Sequence, residues 1–163
     1  AKFGLALHED KTRLIEFGRL PALARQQRGE RRPETFAFLG FTHYCGWTRD
    51  GRFMVKRKTQ SKRLTRKLKE LRQEAWRRMH APLAEQHRWY ASILRGHYGY
   101  YGVSHNFPAL SAFHQEVRRI WRRALRGRSQ KARRLDWDRF KAVLERFPLP
   151  EPRITHPWTE SMA

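Results

Sequence analysis

The second half of the chain places apolar residues three and four positions apart. Between residues 56 and 80 these are Leu64, Leu68, Leu71, Ala75 and Met79, which fall within one narrow stripe of a helical wheel. Polar and charged residues occupy the rest of that wheel. The spacing therefore predicts a helix that buries one side and exposes its remaining surface.

Three further apolar stripes follow at the same spacing. They run from Trp89 to Tyr101, from Leu110 to Ala124, and from Trp137 to Phe147. Proline and aspartate mark the helix starts: Pro82 opens the second helix, Pro108 lies near the first position of the third, and Asp136 caps the fourth. Residues 148–163 contain four prolines and predict an extended tail.

The first 34 residues predict short strands and a loop. Ala1–Gly4 resembles the last turn of a truncated helix. The chain opens without a methionine, which we interpret as a chain that begins inside a larger protein; the alternative is removal of the first methionine. Leu5–His8 and Arg13–Phe17 are strand candidates on either side of a polar turn. Residues 18–34 are polar, basic and broken by proline and glycine, so they predict a loop with at most one helical turn.

Thr35–Cys45 carries apolar residues on both faces and predicts one strand that is buried on two sides. The Asp50-Gly51 turn then returns the chain along Arg52–Lys56. We therefore expect an α+β chain in three parts. A small antiparallel β-hairpin unit covers residues 1–58, a bundle of three to four helices covers 59–147, and a proline-rich extended tail covers 148–163.

The charge of the chain changes this picture, because it requires a partner. Lys and Arg number 36 against 15 Asp and Glu, so the formal net charge is +21. Aromatic residues make up 13% of the chain and include six tryptophans, which excludes a disordered basic tail. A folded, basic, aromatic-rich chain points first to nucleic acid. An anionic membrane is the weaker alternative, because no long apolar span is present.

The cations are concentrated in two runs. Residues 56–80 hold eleven cations and two acids, and residues 118–134 hold nine cations and no acid. A solvated helix face normally interleaves charges of opposite sign, so we favour phosphate contact over simple solvation. Arginine predominates in the second run, which suits bidentate phosphate binding and stacking on unpaired bases.

Glycines spaced by three separate aromatic residues between Gly96 and Gly102. One interpretation is close helix packing, with Tyr98 and Tyr101 filling the core. The other is an RNA backbone that approaches at the glycines while an aromatic side chain stacks or donates a hydrogen bond. Tyr100 lies off the apolar stripe and is the better candidate for contact.

No self-contained catalytic centre is visible in the sequence. Cys45 is the only cysteine, which excludes an intrachain disulfide and fits a reducing compartment. The eight histidines never pair with acids at metal-ligand spacing, so we expect no metal site. These features predict a cytoplasmic protein, with nucleoid association open, and no membrane partner.

Several motifs, in this order, resemble the reverse transcriptase/maturase proteins of bacterial group II introns. Leu5-x-Leu7-x-Glu9-Asp10-Lys11-Thr12 is similar to the polymerase block that follows the catalytic aspartates, and Phe36-x-Phe38-Leu39-Gly40-Phe41 to the next block. The thumb, or maturase, region is matched by Val55–Thr59, Trp89, Gly96–Tyr98, Tyr100–Val103, Asn106, Arg128–Gln130 and Pro152–Pro157. The resemblance covers nearly the whole chain.

This resemblance implies a palm remnant followed by a helical thumb. The protein would bind group II intron RNA to assist splicing, or grip an RNA/DNA template-primer duplex, together with the fingers and palm of the same enzyme. The parent enzyme would use Mg²⁺ held by aspartates. That aspartate motif is absent, so the chain needs no cofactor of its own and we expect it not to polymerise DNA alone.

The resemblance also implies roles for individual residues. Lys11 would lie near the incoming nucleotide as an accessory group, unless it is an ordinary turn lysine. Phe38, Leu39, Gly40 and Phe41 would hold the primer end. Together with the charge pattern, it gives these RNA-binding candidates: Lys56, Arg57, Lys58, Lys62, Arg63, Arg66, Lys67, Arg95, His97, Tyr100, Arg118, Arg119, Arg122, Arg123, Arg126, Arg128, Lys131 and Arg133.

Two other functions fit the same composition. One is a stand-alone basic protein that binds RNA or assembles ribonucleoproteins. The other is a DNA-binding accessory of recombination. Affinity for structured RNA relative to duplex DNA, measured at several salt concentrations, separates the second of these from a maturase.

Overall fold

The computed structural model describes residues 12–157 of the 163-residue chain. Within this range the predicted α+β class is confirmed. The elements are α1 (Arg19–Gln27), β1 (Phe36–Phe38), β2 (Phe41–Trp47), β3 (Phe53–Thr59), α2 (Ser61–Arg77), α3 (Leu83–Tyr101), α4 (Phe107–Arg126), a 3₁₀ helix (Lys131–Arg134) and α5 (Trp137–Arg146). The strands form one sheet in the order β1-β2-β3, and tight turns join successive strands, so neighbours run antiparallel.

The described residues divide into two compact units. The residues up to Phe36 form one unit with His43–Lys56, and Ala37–Thr42 form the other with the residues from Arg57 onward. The first unit contains α1. The second contains α2 to α5 and carries most of the predicted functional residues.

Helix α1 corrects the prediction of a loop over residues 18–34. Pro21 was expected to break any helix there, but it lies in the first turn of α1, where a backbone N–H has no partner to lose. Gly29 lies just beyond the C-terminal end with φ 68°, a conformation that favours glycine. The two residues therefore bound the helix. Residues 13–17 form no strand, and the predictions for Ala1–Gly4 and Leu5–His8 lie outside the described residues.

The single strand predicted over Thr35–Cys45 is also wrong, because a turn divides it into β1 and β2. Leu39 and Gly40 both have positive φ, 47° and 80°, as the two central residues of a tight hairpin turn require. Leucine is rarely found in this conformation, so the apolar pattern concealed the turn. The predicted turn at Asp50-Gly51 is confirmed between β2 and β3.

The helical half follows the predicted stripes. Helices α2 and α3 both pack against α4. The buried core residues are Leu68, Leu71 and Ala75 of α2; Tyr90, Leu94 and Tyr98 of α3; Leu110, Phe113, Val117, Ile120, Trp121, Ala124 and Leu125 of α4; Phe140 of α5; and Leu149. Asp136 caps α5 as predicted, and its carboxylate accepts a hydrogen bond of 2.8 Å from the Arg139 backbone N–H.

Buried Gln86 joins three parts of this bundle. Its side-chain amide donates to the carbonyls of Met79 at 3.0 Å and Ala81 at 2.8 Å, which lie in the connection between α2 and α3. Its amide oxygen accepts from the indole N–H of Trp121 in α4 at 3.0 Å. Every polar atom of the glutamine side chain thus has a partner, and the end of α2 is tied to the centre of α4.

Asn106 has the corresponding role at the opposite end of α2. Its amide oxygen accepts from the Thr59 backbone N–H at 2.8 Å, and its amide nitrogen donates to the Thr59 hydroxyl and the Tyr101 carbonyl, both at 2.8 Å. These bonds join the end of β3 to the loop between α3 and α4. They set the position at which α2 begins, two residues after Thr59.

Residues 148–157 contain no helix, as the prolines predict. The Gly102 carbonyl accepts from the backbone N–H groups of Thr155 and His156, both at 2.8 Å. The Tyr98 hydroxyl donates to the Pro150 carbonyl at 3.1 Å. This segment therefore lies against the C-terminal end of α3.

Replacing Leu68 by alanine should lower the free energy of unfolding by about 2–5 kcal/mol, because the side chain is only 8% exposed and its loss leaves a cavity. The matched control is Leu14→Ala, at a leucine that is 98% exposed, which should change stability by less than about 0.5 kcal/mol. Denaturant unfolding measures both values. Equal effects of the two substitutions would contradict the assignment of the core.

Candidate nucleic-acid interface

The first turns of α2 expose cations that have no acidic partner. Lys62, Arg63, Lys67 and Lys69 are exposed, and none forms an ion pair with any residue between 12 and 157. The Arg66 guanidinium lies 3.9 Å from Glu70, at the limit of an ion pair, with both side chains mostly exposed. The positive charge of this surface is therefore not neutralised within the described part of the chain.

The C-terminal half of α2 differs, because its arginines share acids. The Glu74 carboxylate pairs with Arg77 at 3.3 Å and with Arg78 at 2.6 Å. Hydrogen bonds from these arginines hold the pKa of Glu74 below its usual value. The positive field of α2 is thus strongest near its N-terminal end.

A groove lies between α2 and α3 beside these unpaired cations. This α2–α3 groove has a volume of about 480 Å³. Arg63, Arg66 and Lys67 line one side, and the other side is formed by Ser92, Gly96, His97 and Tyr101. A β-carbon on Gly96 would meet no atom within 4 Å, so the backbone of α3 is open here. A cationic wall thus faces a wall of small and aromatic residues.

The structure separates the two interpretations of the glycine-aromatic segment. Gly96 and Gly99 face open space, whereas a β-carbon on Gly102 would lie 2.4 Å from the Thr155 hydroxyl. Close packing therefore explains Gly102 alone. Tyr98 is buried in the core as one interpretation expected, and Tyr101 is partly buried against it.

His97 is a buried histidine in the wall of the α2–α3 groove. It is 7% exposed, its ring stacks on Phe113 with centroids 3.8 Å apart, and its Nε2 atom has no hydrogen-bond partner among the described residues. Burial, reinforced by the charge of Lys67, lowers the pKa of His97 to about 4. The imidazole is therefore neutral near pH 7 and adds no positive charge to the groove.

Tyr100 and the predicted primer-grip residues meet around the turn between β1 and β2. The Tyr100 hydroxyl donates to the Leu39 carbonyl at 2.7 Å, and its ring stacks on Phe41. Phe41 and Gly40 are buried, whereas Phe38 and Leu39 are exposed. A β-carbon on Gly40 would lie 2.9 Å from the Tyr101 hydroxyl, so the close approach that this glycine permits is to the protein itself.

Several arginines of the second basic run bind other parts of the protein. The Arg122 guanidinium lies 4.6 Å from the centroid of the Trp137 ring, and the Arg126 Nε donates to the Arg133 carbonyl at 3.1 Å. The Arg128 guanidinium donates to the carbonyls of His80 and Ala81, both at 3.2 Å. All three were predicted from the sequence to contact RNA, but each interacts with another part of the protein.

Other members of that run remain at the surface. Arg123, Lys131 and Arg133 are exposed and have no acidic partner between residues 12 and 157. Arg119 pairs with Glu116, an acid that lies just before the run and was not counted with it. Arg118 is half-buried, and its Nε has no hydrogen-bond partner in the part of the chain that the structure describes.

The remaining predicted contacts lie apart from α2 in sequence. Arg95 is exposed on α3, Lys58 is exposed near the end of β3, and Lys56 and Arg57 are partly buried in that strand. The Lys56 side chain packs over Gly46, where a β-carbon would lie 2.9 Å from its Cδ. Lys11 lies outside the described residues.

Trp76 lies on α2 beside its apolar stripe and was not predicted from the sequence as a functional residue. Trp76 borders a second groove, between α2 and α4, with a volume of about 460 Å³. This α2–α4 groove is lined by Arg72, Ala75, Trp76, Glu116, Arg119, Ile120, Arg123 and Ala124. An aromatic residue that is off the apolar stripe of a strongly basic helix was the available signal. Helix α2 is thus a cationic ridge with a groove on each side.

Between residues 12 and 157, no three residues among histidine, cysteine, aspartate and glutamate lie close enough to hold a metal ion. Cys45 is a buried free thiol. Over the same residues, every helix is too short or too polar to span a lipid bilayer.

Comparison with protein-family models, with curated proteins and with solved structures finds no match to this chain. The similarity to group II intron proteins therefore rests on the residue motifs given above.

His97 should make the stability of the protein depend on pH. Its folded-state pKa of about 4 lies below the ordinary value of 6.5, so the unfolded chain binds the proton more tightly. Its contribution is present above about pH 6.5 and is lost as the pH falls towards 4. Between about pH 7 and pH 5, the wild type should lose roughly 2 kcal/mol more stability than His97→Gln.

Denaturant unfolding of both proteins at the two pH values measures this difference. His114 is also a buried histidine with a lowered pKa, so acid should destabilise both proteins to some extent. Parallel pH profiles for the wild type and His97→Gln would show that His97 is not held neutral by burial.

Proposed function

We propose that the chain is the RNA-binding C-terminal region of a group II intron-encoded reverse transcriptase/maturase. Its α2 ridge grips the phosphate backbone of the intron RNA or of a template-primer duplex. The observation that carries this proposal is the set of exposed cations on α2 that have no acidic partner between residues 12 and 157: Lys62, Arg63, Lys67 and Lys69. They stand on a helix whose opposite side is fixed in the core.

Unpaired like charges on one helix destabilise it, since each pair spaced by four residues repels by a few tenths of a kcal/mol. A polyanion that neutralises such a surface relieves this repulsion. RNA does so with additional gain, because bound phosphates release their condensed counterions. The burial of Leu68, Leu71 and Ala75 keeps α2 in place despite this repulsion.

Phosphate contacts position an RNA but do not read its sequence. Recognition by this surface therefore depends on RNA shape, with a phosphate backbone along the ridge of α2. In the α2–α3 groove, the open backbone at Gly96 allows a sugar or phosphate to approach next to Arg63 and Lys67. The same arrangement suits duplex RNA, an RNA/DNA hybrid and a structured intron stem.

The resemblance assigns the helices from α2 onward to the thumb and the hairpin of β1, β2 and β3 to the end of the palm. The primer would then contact the turn at Leu39 and Gly40, where Phe38 and Leu39 are exposed. Fingers, the remaining palm and the Mg²⁺-binding aspartates would come from the rest of the enzyme, in the bacterial cytoplasm. Each of these assignments is part of the proposal.

Replacing Arg63, Arg66 and Lys67 together by alanine should weaken binding to structured group II intron RNA. The plot of log K against log salt should flatten by about one unit for each lost phosphate contact, so by up to about three units. Fluorescence anisotropy at several salt concentrations measures both the affinity and the slope. Competition with duplex DNA in the same assay tests preference for RNA.

The matched control replaces Arg139, Lys141 and Arg146 of α5 by alanine, which removes the same net charge from another helix. Its salt slope should stay close to that of the wild type. An unchanged slope in the α2 variant would mean that these cations face solvent. Equal affinity for intron RNA and duplex DNA would favour a DNA-binding accessory instead.

A further inference from the structure

Trp76 differs from the other tryptophans in the described part of the chain. Trp47, Trp89, Trp121 and Trp137 each contact another aromatic ring, and Trp89 and Trp137 also lie under arginine guanidiniums. Within residues 12–157, no ring or cation stacks on Trp76, and its indole N–H has no hydrogen-bond partner. The side chain is 46% exposed.

The position of the Trp76 ring is nevertheless fixed at one edge. A β-carbon on Gly127 would lie 2.4 Å from Cζ3 and 2.8 Å from Cη2 of the indole. The ring edge therefore packs directly on the backbone at the end of α4. A fixed aromatic ring with free surface loses little conformational entropy when a second ring stacks on it.

Arginines surround this ring in the α2–α4 groove. Arg72 and Arg119 are both held by Glu116, the former at 3.4 Å, so one acid positions two guanidiniums. Arg123 is exposed and has no acidic partner between residues 12 and 157. Three cations against one acid leave the groove positive beside the tryptophan.

The floor of the groove is small and apolar. Ala75 and Ala124 are 2% exposed, and Ile120 is 5% exposed. With a volume of about 460 Å³, the groove lies within the range of pockets that hold a small organic group. A flat aromatic group fits an indole wall above an apolar floor, and an attached phosphate fits the arginines at the rim.

We propose that the α2–α4 groove binds one unstacked nucleotide of a single-stranded RNA segment. The base stacks on the Trp76 indole, and the adjoining phosphates contact Arg123 and the guanidiniums held by Glu116. This proposal rests on RNA binding by the chain and adds to it a site for unpaired RNA. The cations of the α2 ridge contact the phosphates of the duplex, and the Trp76 indole binds a nucleotide that has left the base stack.

The charge of the groove favours a nucleotide over an apolar protein segment. An apolar helix seated here would cover Arg123 without supplying an anion, and a buried unpaired charge is unfavourable. Every nucleobase has a π-face, so stacking on Trp76 tolerates any sequence. The free indole N–H can donate to a base or a sugar oxygen that lies beside the ring.

The test compares three fluorescein-labelled RNAs: a single strand of about 12 nucleotides, the same strand with abasic residues at its centre, and the corresponding duplex. Trp76→Leu should weaken binding of the intact single strand roughly 5- to 150-fold, which is the effect of losing one stacked base. Binding of the abasic strand and of the duplex should change less than about twofold. For each of the three RNAs, Trp76→Leu should have the same salt slope as the wild type.

Two further variants separate stacking from folding. Trp76→Phe keeps an aromatic face and should retain most of the single-strand affinity. Gly127→Ala is compatible with its backbone, φ −75° and ψ −13°, but displaces the Trp76 ring, so it should reproduce the Trp76→Leu loss with the tryptophan still present. Thermal unfolding identifies the variants that are folded, and the comparison is made among those.

Unchanged single-strand affinity in Trp76→Leu would overturn the proposal. So would an equal loss for intact and abasic strands, because the effect would then act through phosphates or folding. Altered self-association in Trp76→Leu, with RNA affinity intact, would identify the groove as a protein contact. If duplex binding keeps its salt dependence in these outcomes, RNA binding by the α2 ridge stands. If the wild type binds none of the RNAs, both proposals fail.

Discussion

The structure depends on burying one side of α2 against α4. Leu68, Leu71 and Ala75 are almost completely inaccessible, while eight of the other fourteen positions of the helix are charged and exposed. Hydrophobic burial must outweigh repulsion between neighbouring cations that have no acid within the described chain. The core thus allows the surface to keep a positive charge that an isolated helix of this sequence would tolerate poorly. Stability and the capacity to bind a polyanion arise from opposite sides of one helix.

Two buried amides set where that helix begins and ends. Asn106 joins the end of β3 to the α3–α4 loop, and Gln86 joins the α2–α3 connection to Trp121 of α4. Both side chains have all their polar atoms paired, so burying them carries little penalty. They fix the two ends of the helix that both grooves flank. Arg128 strengthens the same corner as Gln86 through the Ala81 carbonyl.

Helical periodicity was enough to predict α2 to α5, because these helices bury continuous apolar stripes, and α3, α4 and α5 also begin at or next to a proline or an aspartate. It failed where local geometry decided the outcome. The turn at Leu39 and Gly40 is hidden inside an apolar run, and Pro21 and Gly29 bound α1 instead of preventing it. Counting charges located the basic surface but could not tell an exposed cation such as Lys67 from Arg122, which lies on Trp137. Trp76 was missed because its surroundings come from α4.

The central claim is that the unpaired cations of α2 contact RNA phosphates. Lysine acylation with and without intron RNA, read by mass spectrometry, tests it most directly. Lys62, Lys67 and Lys69 should lose reactivity when RNA binds, whereas Lys141 of α5, which is paired with Asp138 at 3.0 Å, should keep the same reactivity in both states. Bound RNA that left all three α2 lysines as reactive as in the free protein would contradict the account.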